Sequence, residues 1–279
     1  MQKVDRLGWA VGWSFQGYGV RLGVRSNDPA ALDLIRPFLA PGVEQTDDPV
    51  VDHLLSLRVG PTQRASTIRA YNLVYLDHMT VTRTLNLQEA LLALENEMDL
   101  LVAEHSQEYI FVHAGVVGHA GRALLVPGRT RTGKSTLIAA LVRAGASYYS
   151  DEFALLDPAG RVHPFPRRLQ MRNEAGESSI RMTPEDLGGS YGFAPLPVGM
   201  VAVCPYKGVK RFRLRTMTPG HAILTLMKNC IPVRRRPADT MAVLHRALKS
   251  AELVQGSRAE ADAAARVLLS RLEQSAAAS

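Results

Sequence analysis

Residues 124–141 read LLVPGRTRTGKSTLIAAL, an apolar strand-like run that breaks into a glycine-bounded loop and then resumes with helical spacing. Gly128-Arg-Thr-Arg-Thr-Gly133-Lys134-Ser135 satisfies G-x-x-x-x-G-K-[ST] at every fixed position, and it lies where such a loop has to lie, between a strand and a helix. Gly128 and Gly133 let the chain curl so that main-chain N–H groups converge on phosphate oxygens, and the following helix adds the positive end of its dipole. Lys134 would reach the β- and γ-phosphates, and the Ser135 hydroxyl would ligate Mg²⁺. A bare Gly-rich turn needs neither the lysine nor the serine. The stretch therefore reads as a cradle for ATP and Mg²⁺, built from Gly128, Arg129, Thr130, Arg131, Thr132, Gly133, Lys134, Ser135 and Thr136.

A metal-bound triphosphate asks for a carboxylate on the metal side. Asp151-Glu152 arrives at the end of the next apolar run, seventeen residues after Lys134. Carboxylates adjacent at a strand end point to opposite sides, so one is able to face Mg²⁺ while the other faces an incoming nucleophile. Local pattern leaves open which acid takes which task. Alone, the pair would be two solvated acids opening a turn; beside the phosphate loop it gains a function.

The rest of the chain sets bounds. It has 279 residues, of which 46% are hydrophobic, enough to bury a core. MQKVDRLGWAVGW lacks the apolar core of a signal peptide, and no run approaches the roughly 18 uncharged apolar residues that span a bilayer, so a soluble cytoplasmic protein without a membrane partner is expected. Cys204 and Cys230 have neither metal-ligand nor disulfide-framework spacing and read as buried or free thiols. The net charge is +7, with eleven Lys and Arg against one acid, Asp239, between Pro205 and Lys249. Such a field draws nucleotide phosphates, an acidic peptide or nucleic acid. In KRFRLRT, Arg211, Arg213 and Arg215 share a face that serves equally as a protected strand edge or a docking surface. Nucleic acid is disfavoured, because Phe212 lies on the opposite face and offers no stacking platform.

Three regions are expected: residues 1–104 as a small α/β region, 105–256 as the phosphate-loop domain, and 257–279 as a C-terminal helix and tail. In the first, GYGVRLGVRS alternates like a half-buried strand, NDPAALDLIRPFL starts a helix, and HLLSLRV and TIRAYNLVYLDHMTV read as further strands. From Asn86 to His105, Leu87, Leu91, Leu94, Met98 and Leu101 recur at intervals of four and three behind a capping-box-like Asn86/Glu89 start, which predicts one amphipathic helix packed on its own core. In the second region, EYIFVHAGVV and GRALLVPG form a hairpin around residues 118–121, the loop helix runs from Lys134 to Ala144 with Gly145 capping it, and ASYYSDEFALLD is strand, acidic corner and strand. A turn follows at 157–160. Residues 172–192 read as a mobile loop with a short central helix, and the Ala-rich tail as a helix fraying into disorder.

FVHAGVV…LLVPGRTRTGKSTLIAALVRAGASYYSDE resembles the catalytic domain of HPr kinase/phosphorylase, a bacterial serine kinase akin in fold to phosphoenolpyruvate carboxykinase, and more closely the shorter HPr-kinase-related proteins. The similarity covers roughly residues 105–173; the first hundred residues do not resemble the N-terminal domain of the full-length enzyme. As in that family, a histidine, His113, stands fifteen residues before the first loop glycine, and the acidic pair falls at the family spacing. The resemblance implies an α/β fold of the HPr kinase/phosphoenolpyruvate carboxykinase type and His113 beside the transferring phosphoryl group. It also implies Glu152 in place of the family's proton-accepting aspartate, one methylene longer, with Asp151 and Ser135 left for the metal. Where the family has Glu-x-Arg-Gly, this chain reads LQMRN with Gln170, so that Glu174 or Glu177 would have to substitute. IPVRRRP makes Arg234 or Arg236 the counterpart of the family's late arginine, which would stabilise charge on the phosphoryl group.

The function expected is an ATP-dependent kinase acting on a hydroxyl, serine first, of a peptide or small protein; some relatives of this kind accompany biosynthesis of modified peptides, so a precursor peptide fits. A nucleotide-hydrolysing regulator and a small-molecule kinase are the alternatives, and the phosphorylase direction also belongs to the family. The chain has neither Asn-Lys-x-Asp nor Leu-Ser-Gly-Gly-Gln, which argues against a GTPase and a transporter ATPase. It is compatible with a homo-oligomer.

Overall fold

Alternation is enough to make the first strands. Val20, Leu22 and Val24 are buried while Arg21 and Arg25 reach outward, as a half-buried strand requires. The computed structural model describes residues 3–60, 70–128, 132–172, 179–209 and 211–277. Arg129, Thr130 and Arg131 of the loop lie outside the described residues, as do Glu174, Glu177 and Lys210. The chain is mixed α/β and divides into two units, Met1–Glu108 and Tyr109–Ser279.

In the first unit β1 (Val11–Gly17), β2 (Val20–Ser26), β3 (Glu44–Thr46), β4 (His53–Arg58), β5 (Asn72–Leu76) and β6 (Met79–Thr84) form a sheet in the order β3-β1-β2-β4-β5-β6. Helix α1 (Ala31–Ile35) is a single turn continued as a 3₁₀ turn, because Pro37 has no N–H to extend it. Helix α2 (Leu87–His105) buries Leu91, Leu94, Met98 and Leu101 and packs on β2, β4, β5 and β6. Asn86 caps it through Gln88 N, but Glu89 engages the Thr84 hydroxyl rather than closing a capping box.

The second unit contains β7 (Ile110–His119), β8 (Arg122–Pro127), α3 (Lys134–Arg143), β9 (Ser147–Ser150), β10 (Phe153–Leu156) and β11 (Arg161–His163), then a separate ribbon of β12 (Leu169–Arg172) and β13 (Ser179–Met182). It continues through β14 (Leu196–Val203), β15 (Arg215–Thr216), α4 (Pro219–Met227), α5 (Pro237–Leu248), β16 (Glu252–Gln255) and α6 (Ala261–Ala277). The main sheet runs β11-β10-β7-β8-β14-β16-β15, with β9 also on β7 and β11 also on β14. β8, β14 and β16 are parallel. The hairpin β7–β8 turns through Ala120 and Gly121, both left-handed, the combination that follows the twist of the strands. Helix α3 ends in a Schellman motif, with Gly145 N bonded to Val142 O, Ala146 N to Leu141 O, and Gly145 at φ +100°.

One expectation is corrected. Part of the stretch assigned to a loop, residues 179–182, is a strand paired with 169–172, a short alternation obscured by its Gly- and Ser-rich surroundings. The C-terminal helix is present as expected, with Ala264, Ala265, Leu268 and Leu272 buried in the same core as Leu137, Ile138 and Leu141 of α3 and Arg143 paired with Asp262 at 3.2 Å; the end expected to fray, residues 278–279, lies outside the described residues. Alanine fits there because it lets two helices approach closely. KRFRLRT keeps its alternation, Arg211, Arg213 and Arg215 being exposed and Phe212 and Leu214 packed inward, although only Arg215–Thr216 pairs as a strand. Among the described residues no helix is long and apolar enough to cross a membrane.

Candidate functional site

Register on β7 brings the sequence-distant pieces together. Ala114 faces Pro127, the last residue before the phosphate loop, and Gly128 N points at His113 O at 3.5 Å. On the other side β9 pairs with β7 at 116–118 and β10 pairs with it at 110–113, so Asp151 and Glu152 are the two residues that step between these pairings. The step is held by the Ser150 hydroxyl, which accepts from Glu152 N and Phe153 N, and by Ala114 N donating to Glu152 O. Helix α3 lies over the same place. A Cβ at Gly115 would overlap Ile138 and press on the Lys134 stem, so the glycine lets the helix settle low enough for Lys134 to meet His113.

The side chains then form a line. Lys134 Nζ lies 2.9 Å from His113 Nε2, and His113 Nδ1 lies 3.1 Å from Glu152 Oε1. An ammonium has only donors, so Nε2 accepts, Nδ1 carries the proton, and Nδ1–H donates to Glu152. Burial pulls the Lys134 ammonium below the usual lysine range, against the opposing pull of Glu152 and Asp151. Burial would raise Glu152, but the hydrogen bond from His113 and the positive charge of Lys134 outweigh it and hold the carboxyl below its ordinary value. Glu152 is 47% exposed in its side chain, so a second molecule has access to it.

Asp151 is the opposite case. It is buried and burial raises its pKa, although it accepts hydrogen bonds from Ser135, from Tyr148 Oη at 3.0 Å and, at 3.5 Å, from Gln170 N. Tyr148, wholly buried, also accepts from Asp151 N at 3.1 Å, a reciprocal clamp that sequence reasoning did not single out. The two acids thus diverge as expected at the end of a strand. A hydroxyl and a carboxylate already bonded to each other are a donor pair that suits Mg²⁺, which takes few protein ligands and fills its shell with phosphate oxygens and water. Among the described residues no group of three or more His, Cys, Asp or Glu is arranged around a common metal position.

Sequence reasoning also passed over Arg258. This residue is 2% exposed, and its guanidinium donates to Gly133 O at 2.6 Å and to Ala259 O at 3.3 Å. Gly133 has φ +80°, and a Cβ there would overlap that guanidinium, so the loop's second glycine answers two demands at once. Gln170 sits next to Asp151 through its main chain, in the strand where the family pattern has its glutamate. Arg234 is exposed on a 3₁₀ turn and Arg236 is bonded to Asp239 at 3.1 Å; their segment runs beside β7, with Asn229 O accepting from His113 N, yet neither side chain belongs to the Lys134–His113–Glu152 line. Thr136 is exposed in the first turn of α3. Cys204 and Cys230 are buried free thiols, pushed up by burial to about 12 and about 11, and so are inert. No protein-family model and no curated protein matches this chain.

Proposed function

We propose that this chain is an ATP-dependent kinase of the HPr-kinase-related type, transferring the γ-phosphoryl group to a hydroxyl, serine first, of a peptide or small protein. A precursor peptide of a modified natural product is one such substrate. One observation carries the reading: a phosphate-loop lysine, a histidine and a carboxylate form a single hydrogen-bonded line, with a hydroxyl–carboxylate pair bonded beside it. Phosphoryl transfer asks a protein for positioning and charge neutralisation, and these groups supply both.

In this reading the loop amides and Lys134 hold the β- and γ-phosphates. Ser135 and Asp151 would hold Mg²⁺, which when bound neutralises charge between those phosphates. Glu152, kept ionised by His113, faces the acceptor. Its carboxylate takes the hydroxyl proton as the acceptor oxygen bonds to the γ-phosphorus and the bridging P–O bond to ADP breaks. His113 keeps Glu152 oriented, and exposed Arg234 is a cation available to an incoming phosphoryl group.

The test is phosphate accounting with γ-labelled ATP and serine-bearing peptides. Label on the peptide supports the kinase, and release of inorganic phosphate alone replaces it with a nucleotide-hydrolysing regulator. Lys134→Ala is expected to abolish binding or turnover, and Glu152→Gln to spare Mg-ATP binding while slowing transfer by about a hundredfold or more. Undiminished transfer in Glu152→Gln would move the base to Asp151 or His113.

A further inference from the structure

Parallel strands β8, β14 and β16 lie side by side, and loops leaving the carboxyl ends of such strands are where open α/β sheets bind ligands. The first of these loops is the phosphate loop. The other two carry Tyr206 and Arg258, which pair in a parallel bridge: Arg258 N donates to Pro205 O at 3.0 Å and Lys207 N to Arg258 O at 3.1 Å. Tyr206 N also donates to Thr132 O at 3.2 Å, tying this loop to the phosphate loop.

The side chains are arranged for a flat ligand. Tyr206 is 56% exposed, an unusual cost for an aromatic ring on so constrained a backbone, and the Arg258 guanidinium lies 5.6 Å from its ring centroid. Arg258 is buried beside the N-terminus of α3, and its Nε has no hydrogen-bond partner among the described residues. A cation placed there strengthens the anion-attracting end of the helix while backing the tyrosine ring.

Position decides what the ring would meet. His113 and Glu152 stand on the β7 flank of β8, and Tyr206 and Arg258 stand on the β14–β16 flank. If the γ-phosphate lies by Lys134 and His113, a nucleotide crossing the loop presents its other end to Tyr206. We propose that Tyr206, backed by Arg258, is the platform on which the nucleobase stacks. The inference rests on the proposed triphosphate cradle and adds to it the source of preference for a nucleotide over bare polyphosphate.

Titration calorimetry of the full chain with Mg-ATP and with Mg-tripolyphosphate tests it. Wild-type protein is expected to bind ATP more tightly than tripolyphosphate. Tyr206→Ala should weaken ATP by about tenfold, the scale of one base–aromatic stack, and leave tripolyphosphate unchanged, while Tyr206→Phe retains wild-type affinity for both. Equal loss for both ligands in Tyr206→Ala, unchanged ATP affinity in that variant, or equal wild-type affinity for the two ligands would overturn the platform and leave the cradle standing. Failure of the wild type to bind either ligand would overturn the cradle itself.

Discussion

Asp151 is held where its own charge is disfavoured, enclosed by Tyr148, Ser135 and the Gln170 amide. A buried acid with a raised folded pKa lowers stability as pH rises from the ordinary carboxylate range near 4 toward the folded value, and the penalty stays constant above that. Asp151→Asn removes the charge and keeps an acceptor for the tyrosine. The ligand-free variant is therefore expected to melt higher than wild type at neutral pH, with the gain vanishing below about pH 4. Thermal melts across pH measure this. A variant less stable than wild type at pH 7 would show that the carboxylate's hydrogen bonds outweigh its desolvation. Glu152, one residue along, has the reverse sign because the His113 hydrogen bond and the Lys134 charge favour its carboxylate. Adjacent residues in one corner thus have opposite electrostatics, set by burial at Asp151 and by the neighbouring His113 and Lys134 at Glu152.

At the scale of elements, α3, the helix that follows the glycine loop, packs against α6. Both helices present small or aliphatic residues to one core, and Ala264 and Ala265 are wholly buried. Ala265→Leu would force extra methylenes into a close contact, and a loss of about 1–3 kcal/mol in urea-monitored stability is expected. A neutral result would mean that the helices have room to separate. The hairpin β7–β8, the Schellman end of α3 and the acidic step between β9 and β10 were all legible in the sequence, because each depends on residues within a few positions of one another: Ala120-Gly121, Gly145, and Asp151-Glu152. The ribbon β12–β13 was not. Its strands are four residues each and lie in polar, glycine-containing sequence where period-two alternation is too brief to register.

Across the molecule, the +7 charge and the exposed Arg211, Arg213 and Arg215 create a field that favours the approach of a polyanion. The association rate of Mg-ATP is expected to fall several-fold as salt rises from about 20 to about 200 mM, where screening shortens to less than 10 Å. Stopped-flow binding would measure it, and a salt-independent rate would confine the charge to another role. The sequence alone determined that a strand, a glycine loop with Lys134 and Ser135, and a helix follow one another, and that two acids close the next strand, because backbone propensity and loop chemistry are local. Only the tertiary structure decided that His113 bridges Lys134 to Glu152, that Asp151 is buried against Tyr148, and that Arg258 reaches Gly133 from 125 positions away. Those contacts arise from register across β7 and from the parallel order of β8, β14 and β16, and strand order is set by the burial of the whole sheet rather than by any segment of it.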